Sequence, residues 1–397
     1  MKNNDRVLML MSSFPLVEYE GGNGVNFYRL AKAMVANNCK VDVIAPSHHS
    51  IDDFQLMSGI KVYRFRYWFN KHSQKLSYGH GFMKNLNDYT LAKVQVLPWF
   101  ISYYFKCKSL IKKKKYIAIH ANFLNTALVS TLLPRNIKKL YSVRNPGLVD
   151  TKSPFKIKLM QYVFNRVDQV VVNSTESKNK LLKKHSNLEK KINVVCGGVD
   201  DIELNKDDRS FIRNKYKIPK GGRIIISVGR LARIKNFDYL IKSFKNISKN
   251  IDNLFLVIIG SGPEKEYLEN LTEGDKKIKL LGRINNLEVI QWYNASDFFV
   301  LTSSGDTGPI VLLEALRAGL PIISTKVGYA LDFIENGENG YFINKRDEQD
   351  LTKKLNKILN LSETRLHKMS IYTKNLFSNS NSYSHNSACS YYSLYKC

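Results

Sequence analysis

The chain has 397 residues, 44% of them apolar and 24% charged, with 61 Lys+Arg against 34 Asp+Glu for a net charge of +27. These proportions fit a globular chain of two or three domains and exclude disordered, collagen-like and coiled-coil classes. Five scattered cysteines (Cys39, Cys107, Cys196, Cys389, Cys397), with no C-x-x-C pair, argue against a zinc site or a disulfide framework and point to a reducing compartment.

The opening MKNNDRVLMLMSSFP is too short in apolar residues for a secretory signal and reads as a first buried strand. No run approaches about 18 uncharged apolar residues, so no membrane span is expected and a cytoplasmic location is the reading. Apolar runs then recur at Val41–Ala45, Ile60–Phe65, Tyr116–His120, Leu140–Val143, Val170–Val172 and Ile192–Val195. A second series follows at Ile224–Val228, Leu254–Ile259, Ile278–Leu281, Phe298–Thr302, Ile322–Ser324 and Tyr341–Ile343. Continuous Val/Ile/Leu runs suit strands buried on both faces of a parallel sheet. The spacers, such as Asn26–Asn37 and Asp238–Ser248, carry helical periodicity. Two such series predict an α/β chain of two doubly wound, Rossmann-like domains.

The boundary is expected in Asp200–Gly222, a charged, apolar-poor stretch, which gives domains 1–205 and 206–375. The tail from Leu361 is rich in Ser, Asn and Tyr. Tyr383, Ala388, Tyr391, Tyr392, Leu394 and Tyr395 have helical spacing and predict a last helix over about 376–397. Charge divides unevenly: residues 1–205 carry 32 basic and 14 acidic residues (+18), and 206–397 carry 29 and 20 (+9). An anionic partner follows, whether phosphates, nucleic acid or an acidic membrane face. A compositional bias toward Lys, Asn, Ile and Tyr is the competing reading. Leu97–Lys115, where aromatics alternate with lysines and end in four consecutive lysines, is the candidate membrane surface; the alternative is a packed helix with a solvated basic end.

The chemistry-bearing segments sit after strands. In SSGDTGPIVLLEALRAGLP, Ser303–Pro321, Pro309 suits the first helical turn and Gly319 and Pro321 stop the helix. Free amides at Ile310 and Val311, after Gly308, then face the crevice at a strand's carboxyl end, a place for phosphate. Asp306 and Glu314 flank the helix start and suit two hydroxyl-bearing parts of one ligand. The alternative has Asp306 capping the helix and Glu314 held by a core partner. In SVGRLARIKN, Gly229 precedes Arg230 and Lys235, which can converge on a pyrophosphate; the alternative is a solvated basic loop. Gly260–Leu268 is a Gly-rich turn containing Gly262. Gly21, Gly22 and Gly24 lie between the first strand and first helix without completing G-x-G-x-x-G. His48 and His49 read as loop residues. No D-x-D, G-x-S-x-G or Walker A sequence occurs, which argues against a metal–diphosphate site, a serine hydrolase and a P-loop enzyme.

In order and spacing, GRLxxxKN, IIGSGPE, LLGRI, D-x7-E running into EALRAGLPIISTKVG, and ENGENGYFI resemble the family-4 retaining glycosyltransferases of the GT-B fold. The resemblance is strong over Arg223–Ile343 and weaker over Val7–Asp200. It implies two domains facing each other across a cleft, an acceptor-binding first domain and a nucleotide-sugar-binding second one, with the last helix crossing back to the first. By motif position it implies Arg230 and Lys235 on the diphosphate, Glu314 on the ribose and Asp306, usually glutamate, at the transferred sugar or the phosphates near it. Gly229, Gly262, Gly308, Ile310 and Val311 would line the donor site, Arg283 would follow the strand that meets the base, and Gly22 and Gly24 would let the first loop approach. The family's His-x-His reads His120–Ala121–Asn122 here, so Asn122 stands at a sugar-contacting histidine and keeps a hydrogen bond without proton transfer.

The resemblance implies a retaining, metal-independent hexosyl transfer from a UDP- or GDP-linked sugar to a lipid-linked or growing saccharide in cell-surface polysaccharide (O-antigen, capsule or lipopolysaccharide) biosynthesis. No cofactor, no metal and no nucleic-acid partner are expected, and the enzyme is expected to sit peripherally on the inner face of the plasma membrane. Two other classes are weighed. A nucleotide-sugar epimerase of the same fold needs carboxylates flanking the sugar, and none lies near Asn122. A basic nucleic-acid-binding protein needs exposed interleaved aromatics, whereas these fall in strand and helix patterns.

Overall fold

A computed structural model describes residues 5–17, 24–79, 82–200, 205, 207–380 and 382–396. The chain divides into two compact units. The first takes the chain to Asn173, then Ser177–Asp200 and the residues from Tyr383 onward; the second takes Ser174–Glu176 and the chain from Asp201 to Ser382.

The first unit is an eight-stranded sheet: β1 (Arg6–Leu10), β2 (Lys40–Pro46), β3 (Phe54–Met57), β4 (Ile60–Phe65), β5 (Ala118–Ala121), β6 (Lys138–Val143), β7 (Gln169–Val172) and β8 (Ile192–Val194). Its order is β3-β4-β2-β1-β5-β6-β7-β8. Pairing is parallel except at the edge, where β3 runs antiparallel to β4. The edge strand is an addition to the expected series. Its FQLM leaves Phe54 and Leu56 exposed, so it lacks a buried run. Ser58 and Gly59, both at positive φ (47° and 79°), form the two-residue turn that a tight hairpin requires.

Burial on both faces is visible along β1. Val7, Met9 and Met11 pack into one core with the helix Val25–Ala36, while Leu8 and Leu10 face the opposite core with Trp99, Tyr103 and Cys107. One buried charge anchors this sheet. Asp42, fully buried on β2, accepts from Arg6 (3.0 Å), Lys114 (2.8 Å) and the Tyr116 hydroxyl (2.7 Å). Two cations and a hydroxyl offset the desolvation that an isolated buried carboxylate would suffer.

The second unit is a six-stranded, wholly parallel sheet: β9 (Arg223–Val228), β10 (Leu254–Ile259), β11 (Ile278–Gly282), β12 (Phe298–Leu301), β13 (Ile322–Thr325) and β14 (Gly340–Ile343), in the order β11-β10-β9-β12-β13-β14. Its helix Phe237–Ser248 buries Phe237, Leu240, Ile241, Phe244 and Ile247 at helical spacing against β9, β10 and β12. Strand order reverses between β9 and β12, and loops leaving the carboxyl ends of such a pair form the usual ligand crevice.

The C-terminal chain is split between the units. Helix Glu363–Asn379 belongs to the second, and Ser380 ends it. The helix that returns to the first unit spans Ser384–Lys396, starting later than the tyrosine spacing suggested, and buries Tyr391 and Tyr395 beside the helix Val25–Ala36.

Candidate functional site

In the second unit, the loops after β9 and β12 meet at the reversal point. The β9 loop ends in a short 3-10 turn, Arg233–Lys235, and then Asn236, whose left-handed backbone (φ 50°) begins the helix Phe237–Ser248. Asn tolerates that conformation better than most residues. Its amide donates to Thr302 O (2.8 Å) and to Ser304 Oγ, while the Thr302 hydroxyl donates to Lys235 O (2.7 Å). A backbone bond from Ser304 N to Ile234 O (2.8 Å) closes the clasp. Held in this way, Lys235 Nζ lies 2.6 Å from Asp306 Oδ2, each side chain a little under one-fifth exposed.

Asp306 therefore does not cap the helix. Its other oxygen accepts from Gly308 N at 3.4 Å, a long contact, while Pro309 sits at the N-cap with extended backbone and the helix runs Ile310–Arg317. The sequence placed Pro309 inside the first turn; the structure places it one residue earlier. Pro309 supplies no side-chain cap, and the first-turn amides of Ile310 and Val311 have no intrahelical acceptor. A positive dipole end and free amides thus adjoin an ion pair. One turn on, Glu314 is half-buried and accepts from the Tyr293 hydroxyl at 3.3 Å.

The glycines divide by reason. A Cβ on Gly260 (φ 149°) would stand 1.8 Å from Gly229 O, and one on Gly262 would stand 2.2 Å from Leu231 O. The β10 loop is thus pressed against the β9 loop, and Gly262 is explained by that backbone approach. Arg230 and Arg283 are exposed on the loops after β9 and β11. Sequence reasoning missed Asn236, Thr302 and Ser304, which hold Lys235 in place, and Arg346, whose Nε donates to Asn236 Oδ1 (3.3 Å). Asn236 was legible as the last residue of GRLxxxKN.

In the first unit, the candidate residues lie at the carboxyl ends of β1 and β5, where that sheet reverses. Gly22 falls outside the described residues. Gly24 begins the helix Val25–Ala36 at φ 94°, and its carbonyl accepts from Phe27 N and Tyr28 N. Asn122 is buried. Its Nδ2 faces Met11 Sδ (3.1 Å) and His120 O (3.3 Å), and its Oδ1 has no hydrogen-bond partner among the described residues. Beside it, fully buried His120 is bonded at Nδ1 to the Tyr395 hydroxyl (2.8 Å) and at Nε2 to Ser142 Oγ (2.7 Å). It stacks on Tyr391, which accepts from Arg144 (2.6 Å). Burial, with the Arg144 charge adding to it, holds the imidazole well below its ordinary range. His120 is a neutral packing residue.

Two family models span these two halves: "Glycosyltransferase Family 4" matches residues 20–202 and "Glycosyl transferases group 1" matches residues 208–376. The chain belongs to the family-4 glycosyltransferases. This glycosyltransferase is 26% identical over 361 residues to an uncharacterised glycosyltransferase of Methanocaldococcus jannaschii, covering 85% of each chain. It is 28% identical over 302 residues to a capsular polysaccharide biosynthesis glycosyltransferase of Staphylococcus aureus, covering 70% of this chain and 78% of that one. Among solved structures, Anabaena HepE in complex with UDP and glucose shares the fold of the glycosyltransferase, with a TM-score of 0.71, 16% identity and 99% of both chains covered.

Proposed function

We propose that this glycosyltransferase is a retaining, metal-independent hexosyltransferase. Its donor is a UDP- or GDP-linked sugar, and its acceptor is a lipid-linked or growing saccharide of a cell-surface polysaccharide such as capsule, O-antigen or lipopolysaccharide. The observation that carries the reading is the Lys235–Asp306 pair, 2.6 Å apart, where the sheet order reverses and beside an uncapped helix start. A cation next to free amides is a site for a diphosphate. HepE, solved with UDP and glucose, and the capsular relative support the donor and acceptor classes.

In this reading Lys235, Arg230 and the amides of Ile310 and Val311 hold the diphosphate, and Glu314 takes the ribose hydroxyls. Arg283 lies toward the base, and Gly22 and Gly24 admit the donor to the first loop. Asp306 contacts the transferred sugar once Lys235 turns to phosphate, and the unpartnered Asn122 Oδ1 accepts from a sugar hydroxyl. The bond from the anomeric carbon to the diphosphate breaks, the acceptor oxygen bonds that carbon on the same face, and its proton passes to the released phosphate oxygen. Charge accumulates on the departing diphosphate, and fixed cations and dipoles aimed at it lower the barrier. No cofactor enters the reaction.

The test is calorimetric titration with UDP and GDP against single-stranded oligonucleotide at physiological salt, then a sugar-donor screen on a lipid-diphosphate-linked acceptor with mass readout. Binding of one nucleoside diphosphate and transfer of a hexose support the reading. Oligonucleotide binding without diphosphate binding overturns it, and donor epimerisation without transfer replaces it with the epimerase.

A further inference from the structure

The helix Val96–Lys113 has two faces of different character. Trp99, Tyr103, Cys107 and Leu110 recur at helical spacing and are buried in the core of the first unit. On the opposite side Leu97 (68% exposed), Ile101 (48%) and Phe105 (60%) stand four residues apart, a stripe about 12 Å long. The same stripe continues through Lys108 and Lys112, both exposed, with Lys113 and Lys115 exposed at the helix end. The outward face is thus apolar in its first half and cationic in its second. The segment leading into it adds Met83, Tyr89, Leu91 and Val94, all exposed. Residues 82–115 contain eight lysines and one acid, Asp88.

We propose that this face docks the protein on an anionic lipid bilayer, with Leu97, Ile101 and Phe105 entering the headgroup boundary and Lys108, Lys112, Lys113 and Lys115 meeting lipid phosphates. An in-plane helix with one apolar stripe and flanking lysines is the pattern of interfacial attachment. Charge decides between occupants. A second copy would bring its own lysines against these, whereas an acidic membrane surface complements them. No helix among the described residues is long and apolar enough to cross a membrane; the attachment proposed is peripheral.

The structure also corrects which lysines take part. The sequence reading used all four of Lys112–Lys115, but Lys114 is committed to buried Asp42 and the Tyr63 hydroxyl. Replacing it would disturb the fold and mimic a docking defect.

The experiment is co-sedimentation with phosphatidylcholine vesicles with and without phosphatidylglycerol, at low and high salt, with no donor present. Two variants are compared with the wild type. One carries Lys108→Gln, Lys112→Gln, Lys113→Gln and Lys115→Gln; the other carries Leu97→Ser, Ile101→Ser and Phe105→Ser. Wild type is expected to bind acidic vesicles in a salt-sensitive way. Each lysine lost should weaken binding about fivefold, and the serine variant should lose it on both vesicle types. Equal binding to neutral and acidic vesicles, or full binding by either variant, overturns the proposal. So does a wild-type dimer in sedimentation velocity that the serine variant dissociates, which would assign the stripe to a second copy. Nucleoside-diphosphate binding, measured alongside on the same variants, separates this surface from the donor reading. In the variants, retained diphosphate binding with lost docking supports the surface; in the wild type, diphosphate binding without docking refutes the surface alone.

Discussion

Lys235→Ala is the most informative perturbation because the proposed function gives that ammonium two partners in turn. Nζ sits 2.6 Å from Asp306 Oδ2; in the proposed function it turns to phosphate when the donor binds. Truncation removes one charge-assisted contact to the diphosphate, about 1.5–3 kcal/mol or 10–150-fold. It also leaves the Asp306 carboxylate, only about one-fifth exposed, unpaired beside an incoming anion. At about 5 Å and an effective dielectric near 20, one unit-charge repulsion is roughly 3 kcal/mol before solvent screening, which reduces it. The single variant should therefore lose about 10²–10⁴-fold in nucleoside-diphosphate affinity. Adding Asp306→Asn should recover at least tenfold of that, because the repulsion disappears while the missing cation does not return. Asp306→Asn alone frees Lys235 and should bind nucleoside diphosphate more tightly than wild type while transferring sugar more slowly. Calorimetry on the four proteins of this cycle, with initial rates, reads each effect. Wild-type affinity in Lys235→Ala would exclude a Lys235–diphosphate contact, and a double variant no better than the single would exclude repulsion by Asp306.

Glu314→Ala should cost about 10–150-fold in kcat/KM through loss of the proposed ribose contact, read by steady-state kinetics, with Tyr293→Phe costing less because it only positions the carboxylate. Full turnover should persist in excess EDTA if, as proposed, Lys235, Arg230 and helix amides hold the diphosphate; a strict Mg²⁺ or Mn²⁺ requirement in rate assays would contradict this. His120 is held neutral by burial and His185 is likewise depressed, so below about pH 6.5 the unfolded chain takes up protons that the folded chain refuses. Stability then falls with pH by up to about 1.4 kcal/mol per unit per histidine, and urea unfolding of His120→Gln should show the slope reduced by one proton. Lys114→Gln should destabilise by about 1–3 kcal/mol, because Asp42 keeps Arg6 and Tyr116 but loses its third partner, whereas Lys113→Gln should stay within about 0.5 kcal/mol in thermal unfolding.

What the sequence made legible follows from burial. Strands such as Ile224–Val228 and Leu254–Ile259 are covered on both faces, so each shows as an unbroken apolar run. The edge strand Phe54–Met57 was missed because its outer residues meet solvent and nothing in composition marks them. Lys235 and Asp306 were each picked out by local pattern, but their pairing joins residues 71 apart and depends on the Asn236–Thr302–Ser304 clasp. The same holds for Lys114. In a run of four lysines it looks like its neighbours, and only its contact with Asp42, 72 residues away, sets it apart. Asn122 was placed by motif position, yet its burial against Met11 and His120 is a tertiary fact.

In the proposed function a nucleotide sugar reacts at the Lys235–Asp306 site. The most direct measurement is transfer from the UDP- or GDP-sugar identified by the donor screen to a lipid-diphosphate-linked acceptor, with the new linkage resolved by NMR, for wild type and Lys235→Ala side by side. The wild type should give a glycosylated product with the donor's anomeric configuration, and Lys235→Ala at most about a tenth of that rate. An inverted anomer would contradict the retaining mechanism, and equal rates from the two proteins would contradict the site.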